Sequence, residues 1–256
     1  MNDFEMHENL TRFREPLIEK IIDSLPIEPD SRGIDIGCGI GRITNLLHNK
    51  IDLKQKLIGL DFNKERIAYA KKHRAHKNIS FIQGDINNLT FDSHSFDWIW
   101  SMDTIWAGPS QFGCPAENPD EILKQFYNIL KPDGKIFLAF WSSQKLIPGH
   151  PLLEARLNAA TSANAPYGND MDPYSHMLYG KKWLRNAQFQ NIEAHSFVGD
   201  INGPLNEEDN KAVNTFFQMF WGNAEEEVST EDWKKFKDYC TSTSENYILN
   251  NPDYYG

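Results

Sequence analysis

The sequence predicts an α/β protein with a doubly wound, mainly parallel sheet and helices on both of its faces, and three observations support this. Between residues 33 and 141, short apolar runs typical of buried strands alternate with segments of helical apolar spacing. The first run leads into a glycine-rich turn, DIGCGIG, which extends from Asp35 to Gly41. The second run ends in the carboxylate of Asp61. Since ligands of such sheets bind at the carboxyl ends of the strands, both features are expected at that edge.

The segment before the first strand is predicted to be a helix, because apolar residues recur there at helical spacing. These residues are Phe13, Leu17, Ile18, Ile21, Ile22 and Leu25. Pro16 lies among them, and a proline inside a helix removes a backbone hydrogen bond. We therefore expect this helix to begin close to Pro16.

Residues 33–47 (GIDIGCGIGRITNLL) are predicted to form a strand, a turn and the start of a helix. Glycines lack a Cβ atom, so they adopt positive φ angles easily and let backbone amides approach a ligand. Ile43, Leu46 and Leu47 then follow at the spacing of a helix that packs on a sheet. A tight strand-to-helix connection without a ligand would use such glycines too, so the turn alone does not establish a site.

Asp61 follows the short apolar run 57–60 (LIGL) and lies twenty residues beyond Gly41. A carboxylate at the end of the second strand is how nucleotide-binding α/β folds hold a ribose diol. The dinucleotide pattern G-x-G-x-x-G would place its third glycine at position 42, where this chain has Arg42. The sequence therefore indicates a nucleotide-like ligand and disfavours NAD.

Five successive motifs resemble those of the class I S-adenosylmethionine (SAM) dependent methyltransferases, over more than one hundred residues. They are the glycine turn, Asp61, residues 79–86 (ISFIQGDI), residues 96–101 (FDWIWS) and residues 118–141 (NPDEILKQFYNILKPDGKIFLAFW). The resemblance implies a Rossmann-like fold and SAM as the cofactor. It also implies a seven-stranded sheet whose last two strands form an antiparallel hairpin. We expect residues 191–199 to be the sixth strand, and the seventh would begin at residues 251–256, so the sheet has seven strands or, in this chain, six.

The resemblance also implies a SAM site at the carboxyl ends of the strands. It places the backbone of the glycine turn against the methionine part, and Asp35 on the amino group directly or through water. It places Asp61 on the ribose, Phe62 and Ile86 at the adenine ring, and Asp85 on the adenine amino group. The implied cofactor-binding residues are Asp35, Gly37, Cys38, Gly39, Gly41, Asp61, Phe62, Asp85, Ile86, Ser101 and Met102.

The candidate acceptor residues lie after the fourth and fifth strands. Asp103 and Trp106 follow the fourth strand, where acceptor residues often stand in the family that this chain resembles. His150 and His176 lie in an irregular segment, and imidazoles with a pKa close to neutral suit a general base. Both histidines have the alternative role of stabilising a loop.

Two segments interrupt the regular alternation. The sequence predicts a core at 1–141, an irregular insertion at 142–180, a core helix and sixth strand at 181–201, and a helical insertion at 206–250. In the second insertion Phe216, Phe217 and Phe220 form an apolar stripe. We expect the two insertions to cover the acceptor as a lid, with ordinary core packing as the alternative for the stripe.

Bulk properties narrow the class of partner. The chain has 256 residues, 26 Lys and Arg against 36 Asp and Glu, and a net charge of −10, which disfavours nucleic acid. One basic run at residues 71–77 is interpreted as a solvated helix end.

Three dispersed cysteines fit neither a disulfide framework nor a four-ligand zinc site, and we expect no metal. Without a leader or an apolar span, we expect a soluble, cytoplasmic protein with no membrane partner.

The chemistry implied by the resemblance is an in-line displacement that carries a methyl group from SAM to a nitrogen or oxygen of a small molecule. Acidic and aromatic side chains favour an amine-bearing or cationic acceptor. Two alternatives stay open at this point. One is an aminopropyl transferase that uses decarboxylated SAM, and the other is a SAM-binding regulatory module without catalysis.

Overall fold

The computed structural model describes residues 2–108, 114–115, 118–165, 167 and 171–256. It divides into two compact units: unit 1 contains residues 1–17, 142–168 and 198–256, and unit 2 contains residues 18–141 and 169–197. The helices of the described residues are α1 Asp3–Asp23, α2 Arg42–Ile51, α3 Lys64–His73, α4 Asp120–Ile129, α5 Pro151–Leu157, α6 Thr161–Asn164, α7 Gly180–Asn186, α8 Glu207–Trp221 and α9 Thr230–Cys240.

Unit 2 is built on a five-stranded sheet in the order β3-β2-β1-β4-β5, and every neighbouring pair is parallel. The strands are β1 Gly33–Ile36, β2 Leu57–Asp61, β3 Ile79–Gln83, β4 Phe96–Met102 and β5 Leu130–Ala139. The strand order reverses direction at β1 and β4, as in a doubly wound fold. This confirms the predicted α/β class and the five strands predicted up to residue 141.

Two apolar clusters in unit 2 hold helices against the sheet. One joins strand residues such as Ile34 and Ile99 to the buried stripe of α4, which includes Ile122 and Phe126. The other joins the indole rings of β4 to α1 and α2; its buried members are Ile18, Ile22, Leu47, Leu53, Leu57, Trp98 and Trp100. Apolar surface on both sides of β4 explains why this strand is buried along most of its length.

Two elements differ from the sequence expectations. The first is α1, which continues through Pro16 instead of beginning near it. Apolar anchors on both sides of the proline compensate for the missing backbone hydrogen bond: in unit 1 Phe13 packs edge-on against Phe216 at 4.8 Å between ring centroids, and in unit 2 Ile18 and Ile22 are buried.

The second difference concerns the expected sixth strand, because residues 191–199 are not a strand and are almost entirely exposed. Phe197 and Val198 are 39% and 82% exposed, so this segment buries too little apolar surface to be held as a strand. In unit 1 the expected antiparallel hairpin is reduced to one bridge, between Asn202 and Tyr255. Reciprocal backbone hydrogen bonds between Ile201 and Gly256 flank this bridge.

Unit 1 consists mainly of helices packed around aromatic rings. Asn206 and Ser229 cap α8 and α9 through their side chains, which accept from the amides of Asp209 and Asp232. Arg156 of α5 binds the buried Asp232 of α9 with 3.0 Å between Nη1 and Oδ1. Residues 166 and 168–170 of the predicted 142–180 insertion lie outside the described residues.

The basic run at residues 71–77 starts at an exposed helix end. The basic run begins in the last turn of α3 with Lys71, Lys72 and His73, all exposed, as expected for a solvated helix end. Within the described ranges, no helix combines the length and the apolar character needed to cross a bilayer.

Candidate functional site

The turn after β1 has the backbone that its glycines predict. Gly37, Gly39 and Gly41 have φ angles of 83°, 52° and 77°, all in the left-handed region. Gly41 also caps the N-terminus of α2. A residue with a Cβ atom would be strained at each of these positions, which explains the repeated glycines.

Four amides of this turn donate to groups within the protein. The amides of Gly37 and Cys38 both donate to the carbonyl oxygen of Leu60, at 2.8 and 3.0 Å. The amide of Gly39 donates to Asp61 Oδ2 at 2.8 Å, and that of Gly41 donates to the Cys38 carbonyl at 2.9 Å. At these four residues, the α-carbons and carbonyl groups are therefore more available to a ligand than the amides.

Space around the glycines shows which side of the turn is open. A Cβ atom on Gly37 would lie 1.9 Å from Thr104 Oγ1, and one on Gly41 would lie 2.6 Å from the Phe81 ring. A Cβ atom on Gly39 would meet nothing within 4 Å. Gly37 and Gly41 are thus required for packing, whereas Gly39 lies at the accessible side of the turn.

Asp61 ends β2 and joins it to two other elements. Its Oδ2 accepts from the Gly39 amide, and its Oδ1 accepts from the Asn63 amide at 2.8 Å, just before α3. An ionised carboxylate has about four acceptor sites, so each oxygen can accept one more hydrogen bond, such as one from a ribose hydroxyl. The next residue, Phe62, is 70% exposed, an unusual position for a large apolar ring.

Asp35 lies below the turn rather than on its surface. It is 2% exposed, and its Oδ2 accepts from Thr44 Oγ1 of α2 at 2.6 Å. Burial, with a further contribution from the negative charge of Asp61, raises the pKa of Asp35 from 3.8 to about 7 although the Thr44 hydrogen bond opposes this shift. Thr44 is a partner that the sequence analysis missed; its only signal is a hydroxyl on the buried face of an amphipathic helix.

The loop after β3 carries Asp85 and Ile86, two of the three residues predicted to meet adenine. The carboxylate of Asp85 is exposed and accepts from the amide and the side-chain nitrogen of Asn87, at 2.8 and 3.0 Å. Ile86 is 5% exposed and belongs to the larger apolar cluster of unit 2. Little of the Ile86 side chain is left to cover a ring, whereas Phe62 offers a broad surface.

The carboxyl end of β4 lies beside β1. Ser101 Oγ donates to the Ile36 carbonyl at 2.9 Å, and the side chain of Met102 is half-buried. Asp103 has a φ of 48°, and its Oδ1 accepts from the Trp141 amide at 2.7 Å after β5. Trp106 Nε1 donates to the Asp103 carbonyl at 2.9 Å, so these residues form a fixed corner of unit 2.

The two candidate histidines belong to different units. His150 precedes α5 in unit 1, and its ring stacks on Tyr239 with 4.2 Å between centroids. His176 lies in unit 2 between two 3-10 turns, where Nδ1 accepts from the Leu178 amide at 3.2 Å. Burial lowers the pKa of His176, and because Nδ1 is an acceptor, the proton of the neutral ring is on Nε2. This geometry suits a hydrogen-bond donor better than a general base.

The predicted acceptor aromatics lie in α8 of unit 1. Phe216 and Phe217 are fully buried, and Phe217 stacks on Trp221 with 5.8 Å between centroids. Phe220 is half-buried and stacks on Phe216 at 5.7 Å. Phe216 and Phe217 therefore pack the core of unit 1, and of the three rings Phe220 has the most accessible surface.

The thiols have no sign of nucleophilic activation. Cys38, Cys114 and Cys240 are unpaired and buried. Burial and the nearby charges of Asp35 and Asp61 raise the pKa of Cys38 well above its usual value, so its thiol stays protonated at neutral pH. Among the residues whose positions are described, no three His, Cys, Asp or Glu side chains are grouped as metal ligands would be.

The sheet thus brings one set of predicted residues to a common edge. Asp35, Asp61 and Ser101 lie at or next to the carboxyl ends of β1, β2 and β4, around the glycine turn. Three groups that form hydrogen bonds at this edge were not predicted from the sequence: Thr44, the Leu60 carbonyl and Asn63. A backbone carbonyl has no sequence signal, and the other two lie in ordinary capping or helical positions.

A family model described as a methyltransferase domain matches residues 27–211 of this chain. A demethylmenaquinone methyltransferase of Lactobacillus johnsonii is 31% identical over 122 residues, which are 46% of this chain and 47% of that protein. A phosphoethanolamine N-methyltransferase of Triticum aestivum is 25% identical over 178 residues, 69% of this chain and 31% of that protein. The chain thus spans about half the length of the demethylmenaquinone methyltransferases that it matches.

Two solved structures share the fold. A Bacillus halodurans chain assigned as a methyltransferase superposes with a TM-score of 0.54 at 16% identity, over 93% of both chains. A chain from the complex of the Haloferax volcanii Trm112 methyltransferase activator with its assigned methyltransferase has a TM-score of 0.52 at 24% identity, over 72% of both chains. At these identities the likeness establishes the fold alone.

Replacing Gly37 by alanine tests the packing of the turn. Gly37 and Gly149 share a φ of 83°, but only Gly37 has a neighbouring group, Thr104, where the new Cβ atom would lie. Gly149→Ala should cost only the left-handed backbone penalty of about 1–2 kcal/mol. Gly37→Ala should cost clearly more in urea denaturation, because β-branched Thr104 must move as well. Equal losses in the two variants would show that the contact with Thr104 does not constrain the turn.

The raised pKa of Asp35 predicts a pH-dependent stability. Between about pH 4 and pH 7 the native state holds a proton on Asp35 that the unfolded state has released. The contribution of protonated Asp35 is complete below pH 4 and is lost as the pH rises through about 7. Urea midpoints measured from pH 4 to pH 8 should decline more steeply for the wild type than for Asp35→Asn. Parallel pH profiles would contradict the shifted pKa.

Proposed function

Because this chain belongs to the class I SAM-dependent methyltransferase family, we propose that it transfers the methyl group of SAM to a nitrogen or oxygen of a small molecule. The proposal rests on one observation: Asp35, Asp61 and the glycine turn lie together at the carboxyl edge of the sheet in unit 2. Ligands of doubly wound sheets bind at this edge. The match of the family model to residues 27–211 covers all of these residues.

The residues present at this edge fit SAM. Asp61 retains acceptor capacity on both carboxylate oxygens for the two ribose hydroxyls. Phe62 offers an exposed ring to adenine, and Asp85 offers an exposed carboxylate to the adenine amino group. The open side of Gly39 admits the methionine part next to Cys38. When bound, SAM supplies a methyl group that its sulfonium charge has already activated.

The two carboxyl groups at this edge suit a cationic ligand. Asp35 and Asp61 are close enough for the charge of Asp61 to raise the pKa of Asp35. A positive charge next to Asp35 would favour its ionised form, because opposite charges lower the pKa of a carboxyl group. The buried Asp35 side chain lies below the turn and accepts a hydrogen bond from Thr44. We therefore propose that it orients the methionine amino group through a water molecule.

The chain's contribution to the reaction is to position the reactants. Aligning two reactants in one site can supply roughly 7–11 kcal/mol of the barrier reduction. The rigid corner of Asp103 and Trp106 is the part of unit 2 that we propose to orient the acceptor. His176 is a poor candidate for a general base because its Nδ1 already accepts from the Leu178 amide, and His150 has no assignment because its ring is stacked on Tyr239.

A small-molecule acceptor is supported by the relatives and by charge. The two named relatives act on demethylmenaquinone and on phosphoethanolamine, both small molecules. An amine-bearing acceptor would suit the acidic surface of a chain with a net charge of −10.

The proposed function is tested by offering SAM with a labelled methyl group and a panel of amines, phenols and quinols. Label should appear in at least one small molecule and not in RNA or protein. Decarboxylated SAM should yield no aminopropyl product, since such a product would favour the aminopropyl transferase. Tight SAM binding without transfer to any acceptor class would favour the regulatory module.

Replacing Asp61 by asparagine tests the cofactor site directly. The variant keeps the size of the side chain but loses the charge that strengthens hydrogen bonds to hydroxyls, worth about 1.5–3 kcal/mol. The dissociation constant for S-adenosylhomocysteine, measured by calorimetry, should rise roughly 10- to 100-fold. Asp92→Asn, an exposed acid after β3, is the matched control and should change it less than twofold. Unchanged affinity in a folded Asp61→Asn variant would refute the assignment.

A further inference from the structure

Three large apolar side chains are exposed together in a short segment of unit 2. Tyr174, Leu178 and Tyr179 lie in the 3-10 turns Pro173–Ser175 and Met177–Tyr179, and are 50%, 74% and 43% exposed. The two tyrosine rings meet edge to face at 5.0 Å between centroids. The result is a group of exposed apolar side chains within six residues of the chain, two of them in direct contact.

Three cations follow directly in α7. Lys181 and Arg185 are exposed, and the ammonium of Lys182 lies 3.2 Å from the centroid of the Tyr174 ring. Long basic side chains can lay their alkyl stems along apolar surface and keep the charge in water. Tyr174, Leu178, Tyr179, Lys181, Lys182 and Arg185 are called the 174–185 patch below.

The patch stands on a firmly packed base. Met177, Trp183 and Ala187 lie between or beside its residues and are buried in the same cluster as Ile105 and Ala107, after β4. Trp183 Nε1 donates to the Tyr174 carbonyl at 2.8 Å, and Asp172 accepts from the Tyr174 amide. The apolar rings are therefore held outward by a fixed backbone, and their exposure does not come from a fraying chain end.

The charge of the patch is opposite to that of the chain as a whole, which carries −10. A local combination of apolar rings and cations is what attracts a protein to a surface of anionic lipids, through shallow insertion and electrostatic attraction. The basic run at residues 71–77 lacks the apolar part, because its residues are Lys, His, Arg and Ala. Leu152 of α5 is 71% exposed but has no such set of cations next to it.

We propose that the 174–185 patch docks this protein on an anionic lipid surface. Leu178 and the two tyrosine rings would enter the interfacial region, and Lys181, Lys182 and Arg185 would bind lipid phosphates. Docking of this kind requires no membrane-spanning helix, and it replaces the expectation from the sequence that a membrane is not among the partners. It does not depend on the proposed methyl transfer.

The experiment is co-sedimentation of the full chain with vesicles of phosphatidylcholine alone or with an equal share of phosphatidylglycerol. The wild type should bind the anionic vesicles at least tenfold more strongly, and the preference should fall as salt is raised. Leu178→Ser should weaken this binding about tenfold, while Leu152→Ser, a matched exposed leucine, should change it less than twofold. Lys181→Glu with Arg185→Glu should abolish the preference, while Lys71→Glu with Lys72→Glu should retain most of it.

Several outcomes would overturn the proposal. One is equal binding of the wild type to both kinds of vesicle, and another is an equal loss in the patch variants and their controls. A third is sedimentation velocity that shows a dimer without vesicles, abolished by Leu178→Ser, since the patch would then be an interface between two copies of this chain. Because the substituted side chains are exposed, thermal midpoints of all variants should match the wild type.

Discussion

The structure of the candidate site depends on the two oxygens of Asp61. One oxygen holds the glycine turn through the Gly39 amide, and the other holds the start of α3 through the Asn63 amide. The end of β2, the turn after β1 and the next helix are thereby fixed relative to one another by one charged group. Charge-assisted hydrogen bonds are roughly twice as strong as neutral ones, so a single carboxylate can do this. The same group keeps free acceptor sites, which is why structure and ligand recognition meet here.

A site whose polar groups already bind one another changes little when a ligand arrives. Four amides of the glycine turn have partners within the protein, and Asp35 has Thr44. Such a site loses less conformational freedom on binding than a flexible one, which favours affinity. The cost is the burial of the Asp35 carboxyl group, with a smaller contribution from the nearby charge of Asp61, and the raised pKa of Asp35 reflects both. Stability of the free protein and attraction for a cationic ligand are therefore opposed at this position.

Local signals predicted much of this structure. The positive φ angles of the turn and the succession of strands up to residue 141 follow from short-range patterns in the sequence. The absent strand at 191–199 and the passage of α1 through Pro16 depend on tertiary partners, which no local pattern reports. The hydrogen bonds to the Leu60 carbonyl and the burial of Phe216 and Phe217 also depend on tertiary partners, so the sequence did not predict them. A periodic stripe identifies an apolar face, but it does not tell which protein or ligand surface covers that face.

Cys38 gives the turn a natural reporter. Its sulfur lies 3.1 Å from where a Cβ atom of Gly59 would be, so a glycine in β2 makes the room for the thiol. Alkylating reagents attack only an exposed thiolate, and this thiol is both buried and protonated. The rate at which an alkylating reagent labels Cys38 therefore measures how often the turn opens locally without unfolding of the whole chain. Any ligand that holds the turn closed will slow this labelling, even when its chemistry is unknown.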